Sequence, residues 1–210
     1  WAADENDHQE FSSERSDAKV SGILHTGFPV RRWDHDLGPG RQTLAVATLD
    51  EAATDFPEVS DELSTPAGLD FRYLSLPSGR LVDWAVDDEA RFVLVQLEKP
   101  IPGQLEASEI WRVDLDGEPE LHRLTKPAAD HSFDIEAISP DGTKALVTRV
   151  QQWAPQANLA AELMVLDLET AEVKPVWPDA DFWFAPIWVD DSTIVASADD
   201  HGRGSIFIEI

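Results

Sequence analysis

One phrase recurs along this chain, and its spacing constrains the fold more than any other feature. Its clearest copy is Asp134-Ile135-Glu136-Ala137-Ile138, the turn Ser139-Pro140-Asp141-Gly142, then Lys144-Ala145-Leu146-Val147-Thr148-Arg149. Pro at the second turn position presets φ, Asp bonds the nearby backbone, and Gly admits positive φ. The flanking runs alternate or are rich in β-branched residues, the pattern of half-buried strands. Residues 162–168 and 172–177, joined by a turn around Glu169 and Thr170, complete a four-strand antiparallel meander.

The same grammar recurs on both sides. An earlier copy sets 84–86 before the turn Asp87-Asp88-Glu89-Ala90 and 92–97 after it, followed by 110–115 and 120–124. A later copy reads 185–188, the turn Val189-Asp190-Asp191-Ser192, 193–197 and a third strand from Ser205. The most divergent copy comes first: 30–33, a turn at 36–40, then 43–48, with 71–76 and 80–83 as its third and fourth strands. The turns fall near 38, 88, 141 and 191, a period of about 50 residues.

Four short strands per unit of this length is the pattern of a β-propeller blade. A β-sandwich also has short strands and frequent turns, but it does not restart one phrase at constant spacing. The expected fold is all-β: a partial β-propeller of about four four-stranded antiparallel meanders, at about 28–83, 84–125, 132–177 and 182–210. Residues 7–24 read as a helical insert, capped by Asp7 and Glu10, with Val20, Ile23 and Leu24 as its apolar stripe. Residues 52–68 and 151–161 read as inserts between the second and third strands of their units. The abrupt start at Trp1 and the strand-like close at 205–210 read as a fragment cut at both ends.

Composition excludes several functions. Asp and Glu number 41 against 16 Lys and Arg, a formal charge of −25. That balance is wrong for sequence-independent nucleic-acid binding and for a polybasic membrane anchor. There is no cysteine, hence no disulfide, thiol nucleophile or thiolate metal site. No apolar run approaches the ~20 residues of a membrane span. The missing cysteines and the lack of a visible secretory signal predict a cytoplasmic protein.

The phrase Ser139-Pro140-Asp141-Gly142 with Lys144-Ala145-Leu146-Val147 resembles the propeller repeat shared by the Tol-system periplasmic propeller and the prolyl oligopeptidase family of serine peptidases. A longer stretch is more specific. Asp17-Ala18-Lys19-Val20, Ile23-Leu24-His25 and Phe28-Pro29-Val30-Arg31-Arg32-Trp33-Asp34-His35-Asp36-Leu37-Gly38-Pro39 resemble a segment in propellers of acylaminoacyl-peptidase-like and dipeptidyl-aminopeptidase-like enzymes. Ala198-Asp199-Asp200-His201-Gly202-Arg203 is similar to that family's blade-to-blade link.

The resemblance implies that the parent protein is a serine peptidase acting on short peptides. Its propeller would filter substrate for an α/β-hydrolase domain. No Gly-x-Ser-x-Gly nucleophile elbow occurs here, so no catalytic residue is assigned and this chain alone is expected to be inactive. The alternative is a stand-alone Tol-like propeller serving as a protein-binding module. A lactonase-type propeller needs a central metal, which no ligand cluster supports. The expected partners are a short peptide reaching the missing hydrolase domain, and either the remaining blades or another copy of the chain, because an open arc leaves apolar faces and edges unpaired.

Site candidates are few. The six histidines form no i, i+4 pair, the spacing a helical zinc site favours. His35, between Asp34 and Asp36, reads as part of a hydrogen-bonded turn. Of the acid pairs Asp87-Asp88, Asp190-Asp191 and Asp199-Asp200, the first two occupy repeat turns and neither has a calcium-loop spacing. No metal or cofactor is expected. Arg31 and Arg32 are the substrate-binding candidates, since an Arg on the inner rim forms a bidentate fork with a carboxylate. The competing reading for both is an ion pair between blades beside a packed Trp33. Trp84, Trp111 and Trp188 are expected to fill gaps between blades, and Trp153 to be exposed on its insert.

Overall fold

The computed structural model describes residues 13–20, 22, 31–32, 35–36, 44–47, 71–100, 106–117, 119–126, 128, 130–152 and 159–210. Two compact units divide the chain, Trp1–Leu76 and Pro77–Ile210.

In the first unit, β1 (Arg31–Arg32) pairs with β2 (His35–Asp36), and β3 (Ala45–Ala47) with β4 (Phe71–Tyr73), both antiparallel. Asp36, expected to begin a turn at 36–40, pairs instead in β2; residues 37–40 lie outside the described residues. Residues 13–17 are helical and end where Lys19 turns left-handed at φ 53°. Val20 lies beyond that end and is exposed, so it forms no apolar helix stripe. The capping residues Asp7 and Glu10, with Ile23 and Leu24, lie outside the described residues, as do the insert at 52–68 and Trp153.

The second unit is a succession of antiparallel meanders. The first contains β5 (Arg80–Val86), β6 (Phe92–Lys99), β7 (Ala107–Asp114) and β8 (Leu121–Arg123) in that spatial order. The next contains β9 (His131–Ile138), β10 (Lys144–Gln151), β11 (Ala161–Asp167) and β12 (Val173–Pro175), again in sequence order. The last has three strands, β13 (Ala185–Trp188), β14 (Ile194–Asp200) and β15 (Arg203–Glu209). These are blades, and the fold class is all-β, a partial β-propeller. One strand boundary moves: residues 80–83 do not close the first repeat but open β5, pairing Arg80 with Glu98 and Leu81 with Leu97.

Blades stack through their faces. On β10, Ala145 and Val147 join Phe92, Leu94, Ile110, Phe133 and Met164 in the core between the first two meanders. Leu146 points the other way, to Leu163 and Ile194 with Trp188 and Phe184. All three β10 residues are fully buried, so the strand is not half-buried as its sequence suggests. The run Phe92–Leu97 is likewise buried throughout. A strand covered on both faces reads as continuous apolar sequence, whatever its alternation. Trp177, Phe182, Phe184 and Phe207 form an aromatic cluster with ring centroids 4.8–5.9 Å apart, and Trp177 Nε1 donates to Glu209 at 2.9 Å.

The turns explain the repeat. Ser139 N donates to Lys144 O and Gly142 N to Ser139 O, at 2.9 and 2.8 Å. Asp87 N to Phe92 O and Ala90 N to Asp87 O, at 3.2 and 2.7 Å, form the same turn. Ala90 therefore occupies the place of Gly142, and both are left-handed, at φ 55° and 70°. In the third turn Val189 N donates to Thr193 O, and Asp190 accepts from the Ser192 and Thr193 amides, each at 2.8 Å.

Candidate functional site

Strands β5 and β9 are the edge strands that open adjacent blades, and they pack against each other. Together they bring Asp83, Asp134 and Glu136 into one electrostatic neighbourhood. Irregular register is part of the reason. β5 shifts between Leu81 and Asp83, and β9 passes over Glu136 where its partner steps from Leu146 to Val147. Such bulges re-aim side chains that regular pleating would alternate.

The supporting groups are buried. Gln96 sits inside the apolar β6 run; its Nε2 donates to Asp134 Oδ1 at 2.7 Å and to Ser108 Oγ at 3.3 Å. Its Oε1 accepts from the Ile135 amide at 3.1 Å. One amide thus ties two blades together and fixes an acid at their junction. Thr148 Oγ1 donates to Glu136 Oε1 at 2.5 Å.

Burial raises the Asp134 carboxyl above its ordinary range; the Gln96 bond opposes this and the charge of Asp83 adds to it. Burial likewise raises Glu136, opposed by Thr148 and reinforced by Asp134 and Asp83. Partly desolvated like charges of this kind favour an arriving cation or ammonium group. Exposed Trp84 follows Asp83 on β5, which corrects its expected place in a gap between blades. Trp188 does pack between blades, beside Leu146 and Ile194.

A recess of about 260 Å³ lies at the end where β9 begins and β10 finishes, lined by Asp130, His131, Arg149, Gln151 and Glu162. His131 Nδ1 meets Asp130 Oδ1 at 2.9 Å, and its ring stands edge-on to Phe133. Arg149 pairs with Glu162. Gln152, where the β10–β11 insert begins, bonds Ser132 Oγ and the Asp130 carbonyl at 3.0 and 2.8 Å. Gln151, Ala160 and Ala161 thus border the recess, and Gln152 is tied to β9.

Sequence reasoning missed a third group. Asp114, Glu120 and His122 converge across the β7–β8 hairpin, with His122 Nε2 at 3.3 Å from Asp114 and 3.5 Å from Glu120. Spacing alone conceals it, because the ligating atoms come from two strands. Arg112 Nε already donates to Asp114 Oδ1 at 2.8 Å, a bond that a divalent ion would have to displace.

The candidates named from sequence, Arg31 and Arg32, stand in the first unit. Their backbones lie opposite Asp36 and His35 respectively. The residues sequence reasoning missed at the carboxylate group are Asp83, Gln96, Asp134, Glu136 and Thr148. Only Gln96 carried a signal, as a lone amide within the apolar run Phe92–Leu97.

No family model matches this sequence, and no curated protein matches it. Among solved structures, TolB from Acinetobacter baumannii aligns at 17% identity over 66% of this chain and 32% of its own, with a TM-score of 0.43. The tricorn protease aligns at 13% identity over 66% of this chain and 14% of its own, with a TM-score of 0.46. The chain thus spans less than a third, and about a seventh, of those two proteins.

Proposed function

We propose that this chain is the substrate-gating propeller portion of a serine peptidase acting on short peptides, with its α/β-hydrolase domain outside these residues. The observation that carries the reading is the meeting of Asp83, Asp134 and Glu136 on the edge strands of adjacent blades, braced by Gln96 and Thr148. A short peptide presents a terminal ammonium, which this group attracts. Arg31 and Arg32, in the first unit, are a separate candidate for pairing with a substrate carboxylate. The resemblance of 17–39 and 139–147 to prolyl-oligopeptidase-family propellers supports it. The missing Cys and acidic composition fit a cytoplasmic enzyme in the same reading.

The test is hydrolysis of short peptides by this chain and by its full reading frame. The longer protein, reaching a Gly-x-Ser-x-Gly segment, is expected to cleave them, and this chain is not. In the longer protein D134N and E136Q should raise KM for free-amine peptides more than for N-acetylated ones. A full frame without a hydrolase domain, or turnover by this chain alone, overturns the proposal. The first outcome would favour a stand-alone protein-binding propeller.

A further inference from the structure

The last sheet has one covered and one open face. Towards the β9–β12 sheet it buries Pro186, Ile194, Ala196 and Ala198. The other face presents Ile187, Val189, Ile206, Ile208 and Ile210 at 58–94% exposure. Register aligns Ile187, Val195 and Ile208 across the three strands, and Ala185, Ser197 and Ile206 beside them. No charged residue stands at any of these positions, in a chain that is 27% charged.

The repeat shows what such a face receives. Leu94, Leu146 and Val195 each lie two residues beyond the carbonyl that closes their turn, those of Phe92, Lys144 and Thr193. Their first-strand partners are Ala85, Ala137 and Ile187. Leu94 and Ala85 are covered by the β9–β12 sheet, and Leu146 and Ala137 by the β13–β15 sheet. Val195 and Ile187 occupy the same place one blade later, where the described residues supply no cover. In both covered cases the occupant is the succeeding blade.

We propose that the Ile187–Val195–Ile208 face docks a further blade of this repeat, supplied by sequence beyond Ile210 in the full-length protein. This rests on the reading of the chain as a portion of a larger propeller enzyme. A second copy is the poorer occupant, since it would bring another −25 charges to the same surface. Large apolar side chains gathered on one exposed face mark an interface rather than a solvent face.

The chain has no cysteine, so a single introduced thiol reports cover directly. The experiment compares maleimide labelling of I208C with that of R203C, on the same strand, by peptide mass spectrometry. In the full-length protein I208C should label about 100-fold more slowly than R203C, because access requires local opening. In the 210-residue chain both should label alike, at rates independent of protein concentration. Equal labelling in the full-length protein overturns the proposal. So does protection in the short chain that grows with its concentration, which would identify a second copy. Peptide hydrolysis by the same full-length samples reports separately on the enzymatic reading.

Discussion

Arg91 reaches from the turn of one blade to the turn of the next. Its Nη2 donates to the Asp141 carbonyl, 50 residues further along, at 3.0 Å. The same guanidinium grips the fully buried Asp87 carboxylate through Nε and Nη2, each at 2.8 Å. A Cβ at Gly142 would collide with this guanidinium and lie 2.5 Å from Asp87 Oδ1. Gly142 is thus required twice, by its left-handed φ of 70° and by the approach of Arg91.

Removing Arg91 leaves a buried carboxylate without its cation. R91A should destabilise the protein, with the guanidinium's partial exposure keeping the loss below that of a fully buried pair. R91K should recover only part of that, since an ammonium lacks the planar fork. Urea denaturation measures both. An unchanged urea midpoint for R91A would show that the two turns are not coupled through this side chain.

Ala90 holds the conformation that Gly142 holds one blade later, but with a Cβ. A90G should therefore stabilise the protein by about 0.5–1 kcal/mol, the relief of left-handed strain less the added freedom of the unfolded chain. G142A should lose more than A90G gains. A fall in thermal midpoint for A90G would contradict the repeat equivalence.

Two sets of acids give opposite pH signatures. Asp141 is lowered to about 2, first by the Ser139 hydroxyl and then by the Thr143 amide. A depressed folded pKa gives stability above the unfolded value near 3.8 that disappears as pH falls towards 2. D141N should remove that part of the acid limb and lower stability at neutral pH.

Asp134 and Glu136 are raised, so their charged forms oppose folding. Their penalty is absent below the unfolded carboxyl range and grows as pH rises through the folded pKa. D134N keeps an acceptor for Gln96 while removing the charge. It should raise the thermal midpoint at pH 7 and match wild type near pH 3, as calorimetry across pH would record. Equal midpoints for the two proteins at pH 7 would show that burial does not strain this carboxylate.

Leu146 tests the blade stack. L146A should cost about 2–5 kcal/mol, the range for emptying a closed apolar site. V195A, at the equivalent position of the open face, should cost under about 1 kcal/mol in the 210-residue chain. Comparable losses would mean that the last sheet is covered there too.

The meanders were legible in sequence because turn chemistry is local. Ser139, Asp141 and Gly142 make their bonds within a few residues of themselves, as do Asp190 and Ser192. The start of β5 was misplaced because residues 80–83 fit either side of a repeat boundary, and only pairing of Arg80 with Glu98 decides. The run 144–149 reads as half-buried because nothing local to it shows that a second sheet covers Leu146.

The carboxylate group was not legible. Asp83, Gln96 and Asp134 are far apart in the chain and meet through packing of β5 and β9 and through bulges that pleat alternation does not foretell. Sequence by itself determined the repeat, its turns and the all-β class, since these follow from backbone preferences over a few residues. Tertiary structure alone decided which faces are covered and which acids share a desolvated site, since burial and electrostatics depend on distance in space.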